Sequence, residues 1–478
     1  MTNRDIPRAV AQAEGLADAD RAMVRDLVKT WSDKRHRNML RSFYYEMHHM
    51  PRDLGISVPP QLRTLRQVIG WPAKAVDMLA ARSQFDGFTS ADDDATLALQ
   101  QLVDRNGLKR GYRKATLSEL KHSCAFVTVT RGDPDEHQPH AVVRFYPATS
   151  AAALWSEENN RIACGMVVVG RDMRPGHGEP TWVNVFTDEA VIVIRRQAEE
   201  QPWRAEYLPH SMGRCLMEPL AYDATLERHF GKSRISRAVM DLTDSAMRAA
   251  VRSEISSEFF TSPQKYLLGV DEDPFAVKSR WDAYIGSIFA VSANPKTGEV
   301  PKYGQLSQGS MQPHSDYIRS LAARFSGETN VPLSSLGVVS DNPSSAEAIY
   351  AAKEDMVIDA QNLNGDNGDA MRNVALMALA IERDTDYWSV LGESLSVQAK
   401  FRNPAMPSVV SQSDAMVKMI SALPWLADSD VALEEFGFSD DQIQRLRSDR
   451  ARYNSRAAVE RAMAKAGMTM PGGGSGDQ

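Results

Sequence analysis

Between Ser233 and Phe260 the apolar residues Ile235, Val239, Leu242, Ala246, Ala250, Val251, Ile255 and Phe259 recur at spacings of mostly four. That is the spacing of one helical face. At 1.5 Å per residue the helix is roughly 40 Å long. A helix of that length is long for a globular domain and suits a strut. Asp244 and Arg248 form an i,i+4 pair on its surface, worth a few tenths of a kcal/mol.

The pattern before this helix has two regimes. Residues 17–50 are predicted helical, with Met23, Leu27, Val28, Trp31 and Leu40 at helical spacings. Pro59 and Pro60 mark a break, and Trp71-Pro72 opens a short helix through Val76, Leu79 and Ala80. "SADDDATLALQQLVDRNG" predicts a helix capped by Ser90, with acids on its first turn and Gly107 at its end. From Cys124 to about Tyr207 the period falls to two. "CAFVTVT", "HAVVRFYP", "ACGMVVVGRD", "TWVNVFT" and "AVIVIRRQ" are short, β-branched and separated by Gly, Pro, Asp and Asn, which predicts an antiparallel β region.

After the strut, residues 262–310 read as a compact insert in which "QKYLLGV" and "IGSIFAVS" are strands and "NPKTGEVP" a turn. Pro313 starts a helix carrying Tyr317, Ile318, Leu321, Ala322 and Phe325, closed by Gly327. Asn342 and Pro343 start another, whose face runs through Ile349, Met356, Ala360 and Leu363, and "NLNGDNGD" is expected to break it near Gly365. A helix over Ala370–Ile381 and strand-like "YWSVLGESLSVQAKF" follow. The C-terminal part is helical at Ser411–Leu423, Ser429–Phe436 and from Ser439 to about Ala466, where Ser439 and Gln442 make a capping box. "PGGGSGDQ" is expected to be disordered.

Composition narrows the function classes. The 478 residues are 43% hydrophobic and 24% charged, ordinary values for a folded chain of two to four domains. A net charge of −7 supplies no global field toward nucleic acid, so any such contact is local. Cys124, Cys164 and Cys215 are odd in number and show no CxxC spacing, which argues against a disulfide framework or structural zinc and predicts a reducing compartment. The N-terminus lacks the apolar core of a signal peptide, and the apolar run Val374–Ile381 is far short of a membrane span. There is no GxxxxGK[ST], HExxH or GxSxG. His48 and His49 are adjacent and so point differently, a poor metal pair. "NLNGDNGD" fits a calcium loop at neither position six nor twelve. "GRDMRPGHG" has no helix after it and reads as a hairpin loop rather than a phosphate site. No catalytic, metal or cofactor site is predicted.

Two segments have unusual charge. Thr329–Ser340 is twelve residues without a charge, yet carries Val331, Leu333, Leu336, Val338 and Val339 between the breakers Pro332 and Gly337. Loops normally face water. Such a segment therefore packs either inside its own subunit or on another chain. Residues 311–360 around it are acidic, with seven acids against three bases. The C-terminal stretch 441–478 leans the other way, with seven bases (Arg445, Arg447, Arg450, Arg452, Arg456, Arg461 and Lys465) against four acids. It is either a solvated helix face or a surface for DNA or a partner.

The order of these parts resembles the portal proteins of long-tailed double-stranded-DNA bacteriophages, especially those of actinobacterial siphoviruses. The resemblance rests on the collinear set "GWPAKAVDMLAARSQFDGF" (70–88), "FGKSRISRAVMDLTDSAMRAAVRSEISSEFFTSPQKYLLG" (230–269), "SMQPHSDYIRSLAARFSGETNVPLSSLGVVSDNPSSAEAIYAAKEDMV" (310–357) and "GFSDDQIQRLRSDRAR" (437–452). It covers most of the chain, least distinctively over 121–210. It implies an α+β, ring-forming portal-type fold: wing (1–230), first stem helix (231–261), clip (262–310), second stem helix (311–326), channel loop and following helix (327–365), wing return (366–408), α-helical crown (409–468) and a disordered tail (469–478). It further implies a non-enzymatic protein without cofactor: a dodecameric homo-oligomer at one capsid vertex of the virion, assembled in the host cytoplasm. Double-stranded DNA in the channel, the terminase large subunit, a head–tail adaptor, and major capsid and scaffolding proteins are the implied partners, with no membrane. Val331, Leu333, Ser334, Ser335, Leu336, Val338, Val339 and Asn342 are then expected to line the channel, their apolar groups covered by the same loop of neighbouring subunits. Arg445, Arg447, Arg450 and Arg452 are expected to face packaged DNA. An uncharged loop agrees with a translocation channel, because each Lys or Arg contact to phosphate adds salt-dependent affinity that acts as friction. The alternatives are another minor head protein without a channel, or a DNA-acting hydrolase, for which no carboxylate cluster is found.

Overall fold

The computed structural model of the chain describes residues 6–51, 66–172, 179–197, 201–261, 265–268, 298, 300, 302–305, 310–338, 353–393, 396–405, 409–438 and 440–465. Two compact units are present, residues 1–404 and 405–478. The fold is α+β.

The first unit is built around antiparallel sheet. Strands β1 (Phe85–Thr89), β2 (Cys124–Arg131), β3 (Ala141–Pro147), β4 (Ala151–Ser156), β5 (Arg161–Arg171), β6 (Pro180–Phe186), β7 (Ala190–Arg195), β8 (Arg204–Pro209) and β9 (Met217–Ala221) lead up to the strut. β4–β8 form a five-stranded meander in sequence order, and β3, β2 and β9 form a three-stranded sheet with β2 central. The antiparallel β region expected from the sequence is therefore present. Period-two alternation lets the meander serve two cores. Cys164, Met166 and Val168 of β5, with Val183, Val185, Ile192 and Ile194 of its neighbours, pack under helices α1 (Ile6–Val10) and α2 (Asp18–Tyr45). Val167, Phe186 and Val191 face the opposite core. That core gathers β2, β3 and β9 with α4 (Asp93–Asn106) and α5 (Leu108–His122). Gly107 joins the two helices at φ 59, a left-handed position that glycine occupies without Cβ strain. The cap of α4 is Asp92 rather than Ser90; its side chain accepts from the Asp94 N–H at 3.1 Å, while Ser90 Oγ accepts from the Asp92 N–H at 3.2 Å.

The strut is helix α6 (Arg237–Thr261), followed by strand β10 (Lys265–Leu268), which pairs antiparallel with β11 (Lys302–Gln305). The second predicted strand and the turn of the insert lie outside the described residues. Helix α7 (Gln312–Thr329) packs along α6. It runs past Gly327 and closes instead at Asn330, which takes the left-handed conformation at φ 53, a geometry Asn tolerates better than most residues.

Helix α8 (Glu354–Glu382) differs from expectation. "NLNGDNGD" does not break it. Asn367, fully buried, donates from Nδ2 to Tyr112 Oη at 2.8 Å and to Glu119 Oε2 at 2.9 Å. These bonds offset the weak helix propensity of Gly365 and Gly368. The stretch after it also differs. Tyr387–Gly392 is helix α9, capped by Asp386, whose carboxylate accepts from the Ser389 N–H at 3.0 Å. Only Gln398–Phe401 is strand (β12), pairing with β1. In the second unit, helices α10 (Val409–Ala422), α11 (Asp430–Glu435) and α12 (Asp440–Lys465) accompany a small core of Met416, Leu426 and Ala432. The predicted cap at Ser439 lies outside the described residues.

Candidate functional site

The uncharged segment enters from the end of α7. Thr329 Oγ1 donates to the Phe325 carbonyl and Ser326 Oγ to the Val331 carbonyl, both at 2.7 Å. Leu333–Leu336 then forms one 3-10 turn, terminated by Gly337 at φ 86. The segment sorts its side chains between core and surface. Val331 (0% exposed) and Leu336 (9%) point into a core formed by α3 (Trp71–Ala80), α6, α7 and α8. Leu333 and Val338 are half-buried against the same core. Ser334 and Gly337 are exposed and Ser335 half-buried. Trp71 and Phe325, with ring centroids 5.3 Å apart, floor this core. The expectation that neighbouring copies of the loop cover these apolar groups is thereby corrected for Val331 and Leu336: their own subunit buries them. What the segment offers outward is hydroxyl and backbone, without charge. Val339 and Asn342 lie outside the described residues.

One side chain ties the base of the segment together. Arg234, 6% exposed, lies just before α6. Its Nε donates to the Ala75 carbonyl at 2.6 Å, in α3. Nη1 donates to Tyr222 Oη at 2.8 Å and to Asp359 Oδ2 of α8 at 3.2 Å, and Nη2 donates to the Thr329 carbonyl at the end of α7. Asp359 also accepts from Asn330 Nδ2 at 3.1 Å. The planar guanidinium fork can serve several acceptors at once, which an ammonium cannot do in fixed geometry. Burying a charge is costly unless it is paired and hydrogen-bonded, and here it is both. Sequence reasoning missed Arg234, Asp359 and Asn330. Their partners lie 12 to 159 residues away, and no local spacing signals them.

Arg445, Arg447, Arg450 and Arg452 are all exposed on α12. Arg450 pairs with Asp428 at 2.5 Å and Arg452 approaches Asp449 at 3.8 Å. At such exposure these pairs are worth about 0–1 kcal/mol. His49 stacks on Tyr44 at 4.0 Å and lies 3.3 Å from Asp244, while exposed His48 lies 3.6 Å from Glu46. Cys124, Cys164 and Cys215 are buried free thiols, and burial raises the pKa of each. Among the described residues no group of three His, Cys, Asp or Glu is placed to hold a metal ion, and no helix is long and apolar enough to cross a membrane.

No family model matches the chain. It is 25% identical over 443 residues to the portal protein of Mycobacterium phage D29, covering 90% of this chain and 88% of that protein. It is 24% identical over 446 residues to the portal protein of Mycobacterium phage L5, with the same coverage. Among solved structures it is similar to a chain of the native gene transfer agent virion (10% identity, TM-score 0.42, 74% of this chain and 86% of that chain). It is also similar to a chain from the neck of the native gene transfer agent particle in C12 symmetry (12% identity, TM-score 0.39, 80% and 93%).

Proposed function

We propose that this chain is a phage portal protein, the ring-forming conduit for double-stranded DNA at one vertex of the capsid. The observation that carries the proposal is the collinear similarity to the portal proteins of phages D29 and L5 across nine-tenths of the chain. The wing is residues 1–230 with its return at 366–408, the stem is α6 with α7, the clip is 262–310, and the crown is 409–468. The paired helices α6 and α7 support this reading, because they continue from a sheet-based body toward a small β ribbon. The ring is a homo-oligomer, a dodecamer by the same resemblance. Terminase, the head–tail adaptor, and capsid and scaffolding proteins dock on it. It works as a structural component of the virion rather than as an enzyme.

The segment 329–342 faces the channel in this reading, with a division of labour along it. Val331 and Leu336 hold it to its own subunit, and Ser334, Ser335 and Gly337 face the DNA. Low adhesion follows from the lack of cations, since each phosphate contact by Lys or Arg adds a counterion-release term. The function is tested by packaging with Ser334→Lys. Residue 334 is exposed, so rings still assemble, and one cation per subunit is added to the channel wall. Packaging slows or stalls, most at low salt. Wild-type packaging rates at every salt concentration would show that the segment does not meet DNA.

A further inference from the structure

Between α2, the start of β2, the β3–β4 turn and the loop before Ser233 lies a cleft of about 450 Å³. Its wall mixes apolar residues such as Phe126 and Ala152 with polar ones, and its charge is one-sided. Lys34, Arg37 and Arg41 come from one face of α2 at i, i+3 and i+7, and Arg228 and Lys232 come from the loop opposite. Glu227 is the one acid in the lining. In a chain of net charge −7 this is a local reversal of sign.

The cations are largely uncompensated. Lys232 is paired with Asp223. Lys34, Arg37 and the Arg228 side chain make no hydrogen bond or ion pair with the described residues. Arg41, half-buried at the floor, donates from Nη1 to the His122 carbonyl at 3.0 Å, while its buried Nε has no partner. Burial, and then the Arg37 charge, lower its pKa to about 10. The neighbouring imidazole does not add a charge. His122 is held between Ser42 Oγ at 2.9 Å and Ser118 Oγ at 3.0 Å, and burial keeps it neutral by lowering its pKa to about 3. A half-buried guanidinium beside a second guanidinium, with a free N–H and no carboxylate, is unfavourable by itself. Arg41 lines the cleft together with Lys34, Arg37, Arg228 and Lys232, a set of cationic donors that fits a tetrahedral oxyanion.

We infer that this cleft binds phosphate groups, with Arg41 at its floor and Lys34, Arg37, Arg228 and Lys232 around its mouth. The phosphate comes either from a nucleic-acid backbone laid across the mouth or from a free phosphate compound small enough to enter. The site is separate from segment 329–338 and does not depend on the portal reading.

The test is calorimetric titration of the full-length protein with inorganic pyrophosphate, at ionic strength held constant with chloride. Wild-type protein should bind saturably. Arg37→Gln and Arg228→Gln, both at exposed positions, should each weaken binding at least about tenfold, the loss expected for one charge-assisted hydrogen bond. Arg41→Gln should abolish binding, and its melting temperature checks that it folds. A second arm adds a short DNA duplex. Displacement of pyrophosphate by the duplex identifies the backbone as the source, and undisturbed pyrophosphate binding identifies a free compound. Absence of saturable binding by wild-type protein, or wild-type affinity in both Arg37→Gln and Arg228→Gln, would overturn the inference.

Discussion

At the scale of single residues, the organisation of the candidate channel segment depends on Arg234. Four elements meet at its guanidinium: α3 through Ala75, α7 through Thr329, α8 through Asp359, and the strand-to-strut connection through Tyr222. Removing it leaves the Ala75 and Thr329 carbonyls without this donor and the partly buried Asp359 carboxylate without its cation, with Asn330 as its remaining donor. Breaking a buried pair in this way costs about 3–5 kcal/mol. Arg234→Ala should therefore lower the denaturation midpoint of the first unit by that equivalent, and Arg234→Lys should recover only part of it, because a point charge cannot reach the same acceptors. A midpoint unchanged in Arg234→Ala would show that the knot contributes no net stability. Nothing in the local sequence "GKSRISRAV" marks the first arginine as buried and the second as not. The difference is made by distant partners.

At the scale of elements, α8 shows how a long-range contact overrides local propensity. Its centre, with two glycines and three asparagines between Asn362 and Gly368, predicts a break. The helix continues because Asn367 is clamped to α5 by Glu119 and Tyr112. Tyr112 is held in turn by Ser83 Oγ at 2.8 Å. Burial, reinforced by Asp366 and opposed by the Asn367 hydrogen bond, raises the pKa of Glu119 to about 8. The sign of the pH dependence follows. The unfolded group titrates near 4.5. The stability due to the neutral form is fully present below pH 4.5 and is lost as pH rises through about 8. Glu119→Gln keeps the acceptor for Asn367 but cannot ionise. Its stability should thus decline less than the wild type's between pH 5 and 9, by about 1 kcal/mol or more. Parallel stability profiles for the two proteins would contradict the assignment. By contrast α6, the end of α4 at Gly107 and five of the eight strands between Cys124 and Ala221 were legible, because periodicity and turn residues are local signals. The helix at Tyr387–Gly392 was not. Its aromatic and β-branched residues suggest a strand, and the Asp386 cap decides otherwise.

At the scale of the whole molecule, the order of parts was more legible than any site within it. A sheet-based body, a long helix, a small ribbon and a returning helix follow one another along the chain, and the similarity to the phage D29 and L5 portal proteins runs over 90% of it. The apolar character of residues 331–338 was also legible, but its meaning was not. Val331, before the 3-10 turn, and Leu336, at its end, are buried while Ser334 stays exposed, a sorting that composition cannot distinguish from loop-on-loop packing. The central claim is that copies of this chain close into a ring around a channel. Electron microscopy of the purified full-length protein tests it most directly. The account predicts closed rings of uniform copy number with a central hole wide enough for duplex DNA. A preparation that stays monomeric, or forms only open or solid assemblies without a hole, would contradict it.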